Sequence, residues 1–166
     1  MMAVMKRANL LLQAPAYRDY MEKISRDELE RAFCRHDLHH CLEVARLCWL
    51  FLLEAGAGYP KDVVYGAALL HDIGRWMEYR GQGCHAGLGA RLAEPLLTGA
   101  GYTEPERRLI TAAIAEHRRE EDANFSSSLS YFLRQADKYS RPCFACPVGE
   151  DCYKKDQMPQ VRELFY

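Results

Sequence analysis

Apolar residues recur along most of the chain at intervals of three and four positions, the repeat of an amphipathic helix. Residues 38–54 give the clearest example, with Leu38 and Leu42 on one predicted face. No stretch shows the strict alternation of apolar and polar residues that is typical of a β-strand. We therefore predict an all-α fold in which the 166 residues form one domain. Its expected parts are N-terminal helices over residues 1–35, a helical core over 36–141 and a short cysteine-rich tail over 142–166.

Polar residues that cap helices indicate where the predicted helices begin. Asp37 is expected to cap the helix of residues 38–54. Residues 25–28 are predicted as a capping box that opens a short helix, and residues 103–106 as a second capping box. We expect Pro95 to kink its helix or end it early, because proline cannot donate the hydrogen bond that a helix interior requires.

Composition narrows the classes of partner and compartment. The formal net charge is −1, so charge alone implies no nucleic-acid partner, and no apolar run is long enough to span a membrane. The segment from Met1 to Gln13 is basic and then apolar, and we interpret it as a docking helix of a cytoplasmic protein. The odd count of 7 cysteines argues against a full disulfide framework. Cys34, Cys41 and Cys48 follow at intervals of seven and are predicted to be small core residues.

An apolar run over residues 67–70 leads directly into His71 and Asp72. A chain rarely buries two adjacent ionisable residues without a partner, because an unpaired buried charge costs several kcal/mol or more. A divalent metal ion is a suitable partner, since it binds a neutral imidazole and a carboxylate together. Gly74 is expected to terminate this helix. The same dipeptide occurs at residues 36–37, where the surroundings are charged, and there we predict a polar pair at the surface.

Other single residues of metal-ligand type stand among apolar neighbours in the predicted helices: His40, His85, His117 and Asp137. Each of them alone fits an ordinary polar residue near a helix end. Their order along the chain is the informative feature. His40 with Val44-Ala45, then His71-Asp72-Ile73-Gly74, then Ala136-Asp137-Lys138 resembles the signature of the HD-domain metal-dependent phosphohydrolase superfamily.

The resemblance covers roughly residues 35–141 and implies a single helical bundle of the HD type. The additional His85 and His117 resemble those of the small bacterial HD hydrolases that cleave dinucleoside tetraphosphates symmetrically, and also those of dinuclear HD phosphodiesterases. Two departures leave the substrate open. The segment between His71-Asp72 and His85 is short, and Arg118-Arg119 follows His117 in place of the threonine-containing turn of the tetraphosphate hydrolases.

The resemblance also implies roles for the site residues. It assigns a first metal ion to four ligands: His40, His71, Asp72 and Asp137. If a second ion is present, Asp72 bridges and His85 and His117 complete its shell; with one ion, those two histidines orient phosphate or move protons. Nitrogen and oxygen ligands suit iron, manganese, zinc or magnesium. Asp72, His85, His117 and Arg75 are the candidate catalytic residues. Arg75 is interpreted either as a phosphate-contacting residue or as a cation at the C-terminal end of a helix.

Three cysteines of the tail form a second candidate metal site: Cys143, Cys146 and Cys152. The Cys-x-x-Cys spacing is that of a zinc knuckle or of an iron–sulfur ligand set. A fourth ligand would have to come from elsewhere, with Cys84 and Cys34 as candidates. The alternatives are a disulfide between Cys143 and Cys146 or between Cys146 and Cys152, or free thiols.

These observations lead to one functional hypothesis and its rivals. We expect a metal-dependent phosphohydrolase that acts on a nucleotide or a related phosphate ester or anhydride, with dinucleoside polyphosphate as the specific candidate. The alternatives among enzymes are a nucleotide phosphodiesterase and a nucleoside monophosphate phosphatase. The alternative of another class is a metal- or redox-sensing regulatory module. The expected partner is a small-molecule phosphate substrate, and we also consider a homodimer through the apolar termini.

Overall fold

The computed structural model describes residues 4–120, 122–159, 163–164 and 166, and in these residues it contains helices and no strand. The all-α prediction is therefore confirmed. The α-helices of the described residues are α1 (Lys6–Gln13), α2 (Pro15–Asp27), α3 (Leu38–Glu54), α4 (Lys61–Leu70), α5 (Arg75–Tyr79), α6 (His85–Gly99), α7 (Glu104–Glu116) and α8 (Ser128–Tyr139). The tail adds two short 3-10 turns at Cys143–Ala145 and Lys155–Gln157. None of the described helices is long and apolar enough to cross a membrane.

Helix α4 lies at the centre of the fold. Every residue from 63 to 70 is buried, as expected for a helix that is apolar on all sides. Helices α3 and α7 pack against α4, α8 packs against α3 and α7, and α6 packs against α7. Because α4 is enclosed on all sides, its C-terminal end delivers the next residues, His71 and Asp72, into the interior.

Helix α1 docks on the core as the sequence predicted, although Met1 to Ala3 lie outside the described residues. Ala8 and Leu11 are buried, and α1 packs against α4. Arg7 fixes the helix further, because its guanidinium lies 2.6 Å from a Glu106 oxygen and 4.4 Å from the ring centroid of Tyr102. Helix α1 therefore covers one side of α4.

Several predicted helix starts are confirmed. Asp37 caps α3 by accepting a hydrogen bond from the backbone N–H of His40 at 2.9 Å. Thr103 and Glu106 form the predicted capping box of α7. Local side-chain chemistry was sufficient for these predictions, because each cap bonds within three residues.

One prediction of local structure is wrong, and one alternative of a second prediction is excluded. No helix opens at residues 25–28, since α2 continues through Asp27. Glu28 follows the helix end, where its carboxylate is buried and accepts a long-range hydrogen bond from the backbone N–H of His36 at 2.8 Å. Helix α6 does not end early at Pro95 but continues to Gly99. The buried side chain of Leu97 anchors the segment beyond the proline.

Gly74 has a different role from the one predicted. Its φ of −84° is right-handed, and α4 has already ended at Leu70, so Gly74 is not a left-handed terminator of that helix. It permits a close approach instead. A Cβ atom at Gly74 would lie 2.4 Å from the carbonyl oxygen of His85 and 2.6 Å from the backbone nitrogen of Gly89. This contact brings the start of α6, and with it His85, against the turn that carries His71 and Asp72.

Gly74→Ala should therefore lower the free energy of unfolding by about 1–3 kcal/mol, because the clashing atoms belong to the backbone and cannot rotate away. The matched control is Gly87→Ala, since a Cβ at that helical position meets nothing within 4 Å; it should be neutral or stabilise by up to about 1 kcal/mol. Urea unfolding of both variants measures the difference. Equal stability of the two variants would contradict the close approach.

Candidate metal centre

The predicted site residues converge beside the C-terminal end of α4. His40 lies in the first turn of α3, His71 and Asp72 follow α4, His85 begins α6, His117 follows α7, and Asp137 lies in α8. Their ligand atoms form two groups in which all atoms lie within 4.8 Å of one another. The first group is His40, His71, Asp72 and Asp137, and the second is Asp72, His85 and His117. Asp72 belongs to both groups.

The first group has spacings that suit one ion. The His40 Nε2 atom lies 3.1 Å from Asp137 Oδ1, and the His71 Nε2 atom lies 3.1 Å from Asp72 Oδ2. The His40 Nε2 atom also lies 3.6 Å from Asp72 Oδ2, and the His71 Nε2 atom lies 3.7 Å from Asp137 Oδ1. Ligands that each bind one ion at about 2.0–2.2 Å lie about 3–4 Å from each other. All four atoms can therefore reach a common ion.

The second group uses the other oxygen of Asp72. The His85 Nε2 atom lies 3.1 Å from Asp72 Oδ1 and 3.1 Å from the Nε2 atom of His117. The distance from His117 Nε2 to Asp72 Oδ1 is 3.9 Å. One carboxylate thus faces a histidine group with each of its oxygens, which is the arrangement a bridging ligand requires.

Hydrogen bonds to the outer ring nitrogens orient the histidines. The Nδ1 atom of His71 donates to the carbonyl oxygen of Ala68 at 2.7 Å, and that of His117 donates to Ile114 at 2.6 Å. The Nδ1 atom of His85 donates to Glu78 at 2.5 Å. A proton on Nδ1 leaves the Nε2 lone pair free for a cation, as in histidines that ligate metals.

Two atoms at the centre lack hydrogen-bond partners, and this observation tests whether a metal fits. His71 Nε2 and Asp72 Oδ2 are both buried, and neither makes a hydrogen bond. Burying an unsatisfied polar atom costs about 1–3 kcal/mol, so a cation between the two atoms would remove a real penalty. Imidazole nitrogens and carboxylate oxygens are suitable ligands for a divalent metal ion. The residues present therefore fit such an ion.

The surrounding charges keep the two carboxylates of the site deprotonated, which is the form that binds a metal ion. Burial would raise the pKa of Asp72, but Arg75 and the surrounding histidines together outweigh burial and hold that pKa well below its ordinary value. Burial opposes the ionisation of Asp137 too, yet the adjacent His40 and His71 imidazoles hold its pKa well below the ordinary value. Both carboxylates are consequently charged at neutral pH.

The histidines differ from one another in protonation. Burial, followed by the charge of His71, lowers the pKa of His117 to about 3, so His117 is neutral. Burial also acts to lower the pKa of His71, but the Asp72 and Asp137 carboxylates together outweigh burial and raise that pKa to about 10. A proton on His71 therefore stands in for a cation in the metal-free chain. Metal binding would release this proton, since the ligand must be neutral.

Arg75 is held against the centre by Asp72. Its Nε atom donates to Asp72 Oδ1 at 2.7 Å, and its side chain is 13% exposed. The alternative interpretation of Arg75 as a cation at a helix C-terminus is wrong, because Arg75 is the first residue of α5. Arg75 lines a cavity of about 230 Å³ that His117 and Asp137 also line.

This cavity is rich in positive charge. Its cationic lining residues include Arg75, Arg118, Arg119, Lys138, Arg141 and Lys154. Arg141 also contacts the first ligand group, because its Nη2 atom lies 2.9 Å from His40 Nε2. A cavity with this lining attracts an anion to the candidate ligands.

The prediction that His36 lies at the surface is wrong. The residue is 4% exposed, and its Nδ1 atom donates to the buried carboxylate of Glu28. Burial lowers the pKa of His36 to about 4. Burial acts to raise the pKa of Glu28, but the hydrogen bonds from His36 and Tyr79 lower it to about 2. A neutral histidine thus donates to a charged glutamate, and its ring packs edge-on against His40 at 5.8 Å between centroids.

Sequence reasoning also missed Glu78. This residue orients His85 and, through its other oxygen, pairs with Arg118 at 3.1 Å. A single glutamate before a glycine-containing loop carries no signal of such a role. The spacing of seven residues to His85 acquires meaning only because the chain reverses between α5 and α6 and returns His85 to the turn at Gly74.

Comparisons with known proteins agree with this geometry. A family model described as the HD domain matches residues 37–142. An uncharacterized protein from Clostridium beijerinckii is 33% identical over 162 residues, which cover 98% of this chain and all of the relative. Ribonuclease Y from Oleidesulfovibrio alaskensis is 34% identical over 66% of this chain, and Ribonuclease Y from Geobacter sulfurreducens is 30% identical over 74%. The matches span only 19% and 21% of those ribonucleases. No solved structure gives a significant match.

Glu78→Gln should weaken Mn²⁺ binding at the Asp72, His85 and His117 group by about 10–100-fold, because it removes the charge that orients His85. The first ligand group should keep its affinity. Calorimetric titration of metal-free protein resolves the two events. The control is Glu94→Gln on α6, which pairs with Arg107 away from the site. If both binding events are unchanged in Glu78→Gln, Glu78 does not support a ligand.

Proposed function

The chain belongs to the HD domain family, and we propose that it is a metal-dependent phosphohydrolase that acts on a nucleotide or a related phosphate ester or anhydride. The observation that carries this proposal is one buried carboxylate, Asp72, shared by two groups of candidate ligands. A cation-lined cavity leads to these groups. A phosphate group combines negative charge with oxygen atoms that a metal ion can bind, so it suits both features.

The proposed metal ligands are His40, His71, Asp72, Asp137, His85 and His117. When bound, divalent ions would lower the pKa of a water molecule and withdraw charge from phosphoryl oxygens. The protein contributes the fixed geometry. Glu78 and the backbone carbonyls that accept from the Nδ1 atoms prevent the imidazoles from rotating, so the site does not reorganise during the reaction.

Arg75 is proposed as the residue that binds the phosphate of the substrate. Its Nε atom donates to Asp72, and the residue also lines the cavity. It can therefore hold the carboxylate and donate to a phosphate oxygen at the same time. Arg141 is a second candidate, because its Nη2 atom now contacts the His40 nitrogen that a metal ion would use. If His40 bound a metal ion, the Nη2 atom of Arg141 would lose this contact and could donate to a phosphate in the cavity.

The extent of the basic lining supports a substrate with more than one phosphate. Arg118 and Lys154 line the cavity together with Arg75, so positive charge extends beyond a single phosphate position. This feature favours a nucleotide polyphosphate, including a dinucleoside polyphosphate, over a nucleoside monophosphate. Phosphodiester hydrolysis on RNA is a second candidate, because regions of ribonucleases named Ribonuclease Y are 30–34% identical to this chain.

A metal- or redox-sensing module without catalysis is the alternative of another class. A degenerate core would be expected to have lost a ligand, whereas all six proposed ligands are present and close together. We propose a cytoplasmic location, since the cysteines are free thiols and thiols persist in reducing compartments. A homodimer that uses exposed apolar residues such as Leu10 stays a prediction.

The direct test is phosphate or nucleotide release by metal-free protein supplied with Mn²⁺. The substrates are a nucleoside monophosphate, a nucleoside triphosphate, diadenosine tetraphosphate and a short RNA. Asp72→Asn should lower kcat by about 100-fold or more on whichever substrate is cleaved, because the bridging charge is lost. The control is Asp19→Asn, since Asp19 pairs with Lys23 on the surface of α2.

Circular dichroism should give the same helix content for both variants and the wild type. Full activity of a folded Asp72→Asn would contradict the proposed site. Failure of the wild type to cleave any of the substrates, with Mn²⁺ bound, would favour the sensing alternative.

A further inference from the structure

The cysteine-rich tail is organised by its own backbone. Hydrogen bonds join residues three apart, from Cys146 N–H to Cys143 O at 3.2 Å, from Gly149 to Cys146 at 3.1 Å and from Cys152 to Gly149 at 3.1 Å. Residues three apart in a 3-10 turn lie on the same side. The turn at Cys143–Ala145 therefore directs Cys143 and Cys146 to one face, and two further turns return Cys152 toward them.

Cys34, which precedes the helical core in sequence, lies close to the three cysteines of the tail. Phe33 and Tyr153, which adjoin Cys34 and Cys152 in sequence, pack edge to face with ring centroids 5.5 Å apart. A cleft of about 860 Å³ is lined by all four cysteines of this cluster: Cys34, Cys143, Cys146 and Cys152. Arg31 anchors Cys34 by donating to its carbonyl oxygen at 2.8 Å.

The thiols are also within electrostatic reach of one another. Burial, followed by the influence of Cys34, Cys146 and Cys152, raises the pKa of the Cys143 thiol. Cys84, the other candidate for a fourth ligand, is exposed and lines neither this cleft nor the basic cavity. Of the two candidates for the fourth ligand, only Cys34 therefore lies at the cluster. The prediction that Cys34 is a core residue is wrong, because its side chain is only half-buried.

We propose that Cys34, Cys143, Cys146 and Cys152 bind one zinc ion as a four-thiolate site that fixes the tail against the HD core. This proposal does not depend on the proposed hydrolase activity. Four sulfur ligands with a Cys-x-x-Cys pair are the ligand set of structural zinc sites. Disulfides are the competing state, but all four cysteines are free thiols.

Zinc binding requires the cluster to close around the ion. The groups whose ligand atoms lie within 4.8 Å of one another are the two His/Asp sets, so the sulfur atoms lie farther apart than in a closed tetrahedral site. Each sulfur moves by rotation about its Cα–Cβ bond, and an ion that binds at about 2.3 Å would draw them together. Cations that line the adjoining cavity, among them Arg31, Arg141 and Lys154, offset the negative charge of four thiolates.

The zinc site would have a consequence for the basic cavity. Cys34, Cys143 and Cys152 line that cavity together with His117 and Asp137, and so does Lys154, two residues after Cys152. An ion bound by the thiols therefore holds one wall of the cavity that leads to the candidate metal centre. Loss of the ion, or oxidation of its thiolates, would release this wall without removing any His/Asp ligand.

The test is zinc content and thiol reactivity of the full chain, purified without added metal. The wild type should contain one zinc ion per chain that a mercurial thiol reagent releases. Cys146→Ser should lose this ion, whereas the control Cys84→Ser should keep it. Zinc held by the His/Asp centre is distinguished by Asp72→Asn, which should leave the thiol-bound ion in place. Cobalt substitution should give a thiolate-to-cobalt charge-transfer band in the wild type and none in Cys146→Ser.

Thiol reactivity keeps the test decisive if Cys146→Ser fails to fold. In zinc-loaded wild type, Cys84 alone should react rapidly with a disulfide reagent. Chelation should speed the reaction of the four proposed zinc ligands by about tenfold or more, whereas the buried Cys41 and Cys48 should stay unreactive. Equal reactivity with and without chelator would overturn the proposal. So would wild-type protein that binds no zinc after incubation with it under reducing conditions, or an iron–sulfur chromophore in its place.

Discussion

The charge of Asp72, buried at the end of a fully enclosed helix, is the constraint on which the rest of the site depends. Arg75 neutralises one side of the carboxylate at 2.7 Å, while His71 and His85 face its two oxygens at 3.1 Å each. A charge at this depth is tolerated only with such partners. The turn after α4, the close approach at Gly74 and the oriented histidines all serve to place those partners.

Parts of this arrangement could be predicted from the sequence. The candidate ligands and the all-α fold could be inferred because apolar periodicity and the order of His40, His71-Asp72 and Asp137 are local patterns. Helix caps such as Asp37 were also predictable, since their bonds close within three residues. The family match over residues 37–142 agrees with those patterns.

Long-range contacts explain the predictions that failed. His36 occupies a charged stretch but is buried by Glu28, eight residues away and across a turn. Glu78 and Cys34 acquire their roles only when α6 and the tail fold back onto the core. Gly74 was identified as important for a reason that is wrong, because no sequence pattern distinguishes a helix terminator from a backbone contact. Helix propensity and apolar periodicity depend on nearby residues in the sequence, whereas the roles of these residues depend on contacts with residues that are distant in the sequence.

We propose that Asp72 is shared by two metal sites, of which His40, His71 and Asp137 would complete one and His85 and His117 the other. Anomalous diffraction from crystals grown with Mn²⁺, recorded on both sides of the manganese absorption edge, tests this claim most directly. We expect one peak among His40, His71, Asp72 and Asp137, and a second among Asp72, His85 and His117. A map with no manganese peak beside Asp72, at a concentration that saturates binding in solution, would contradict it.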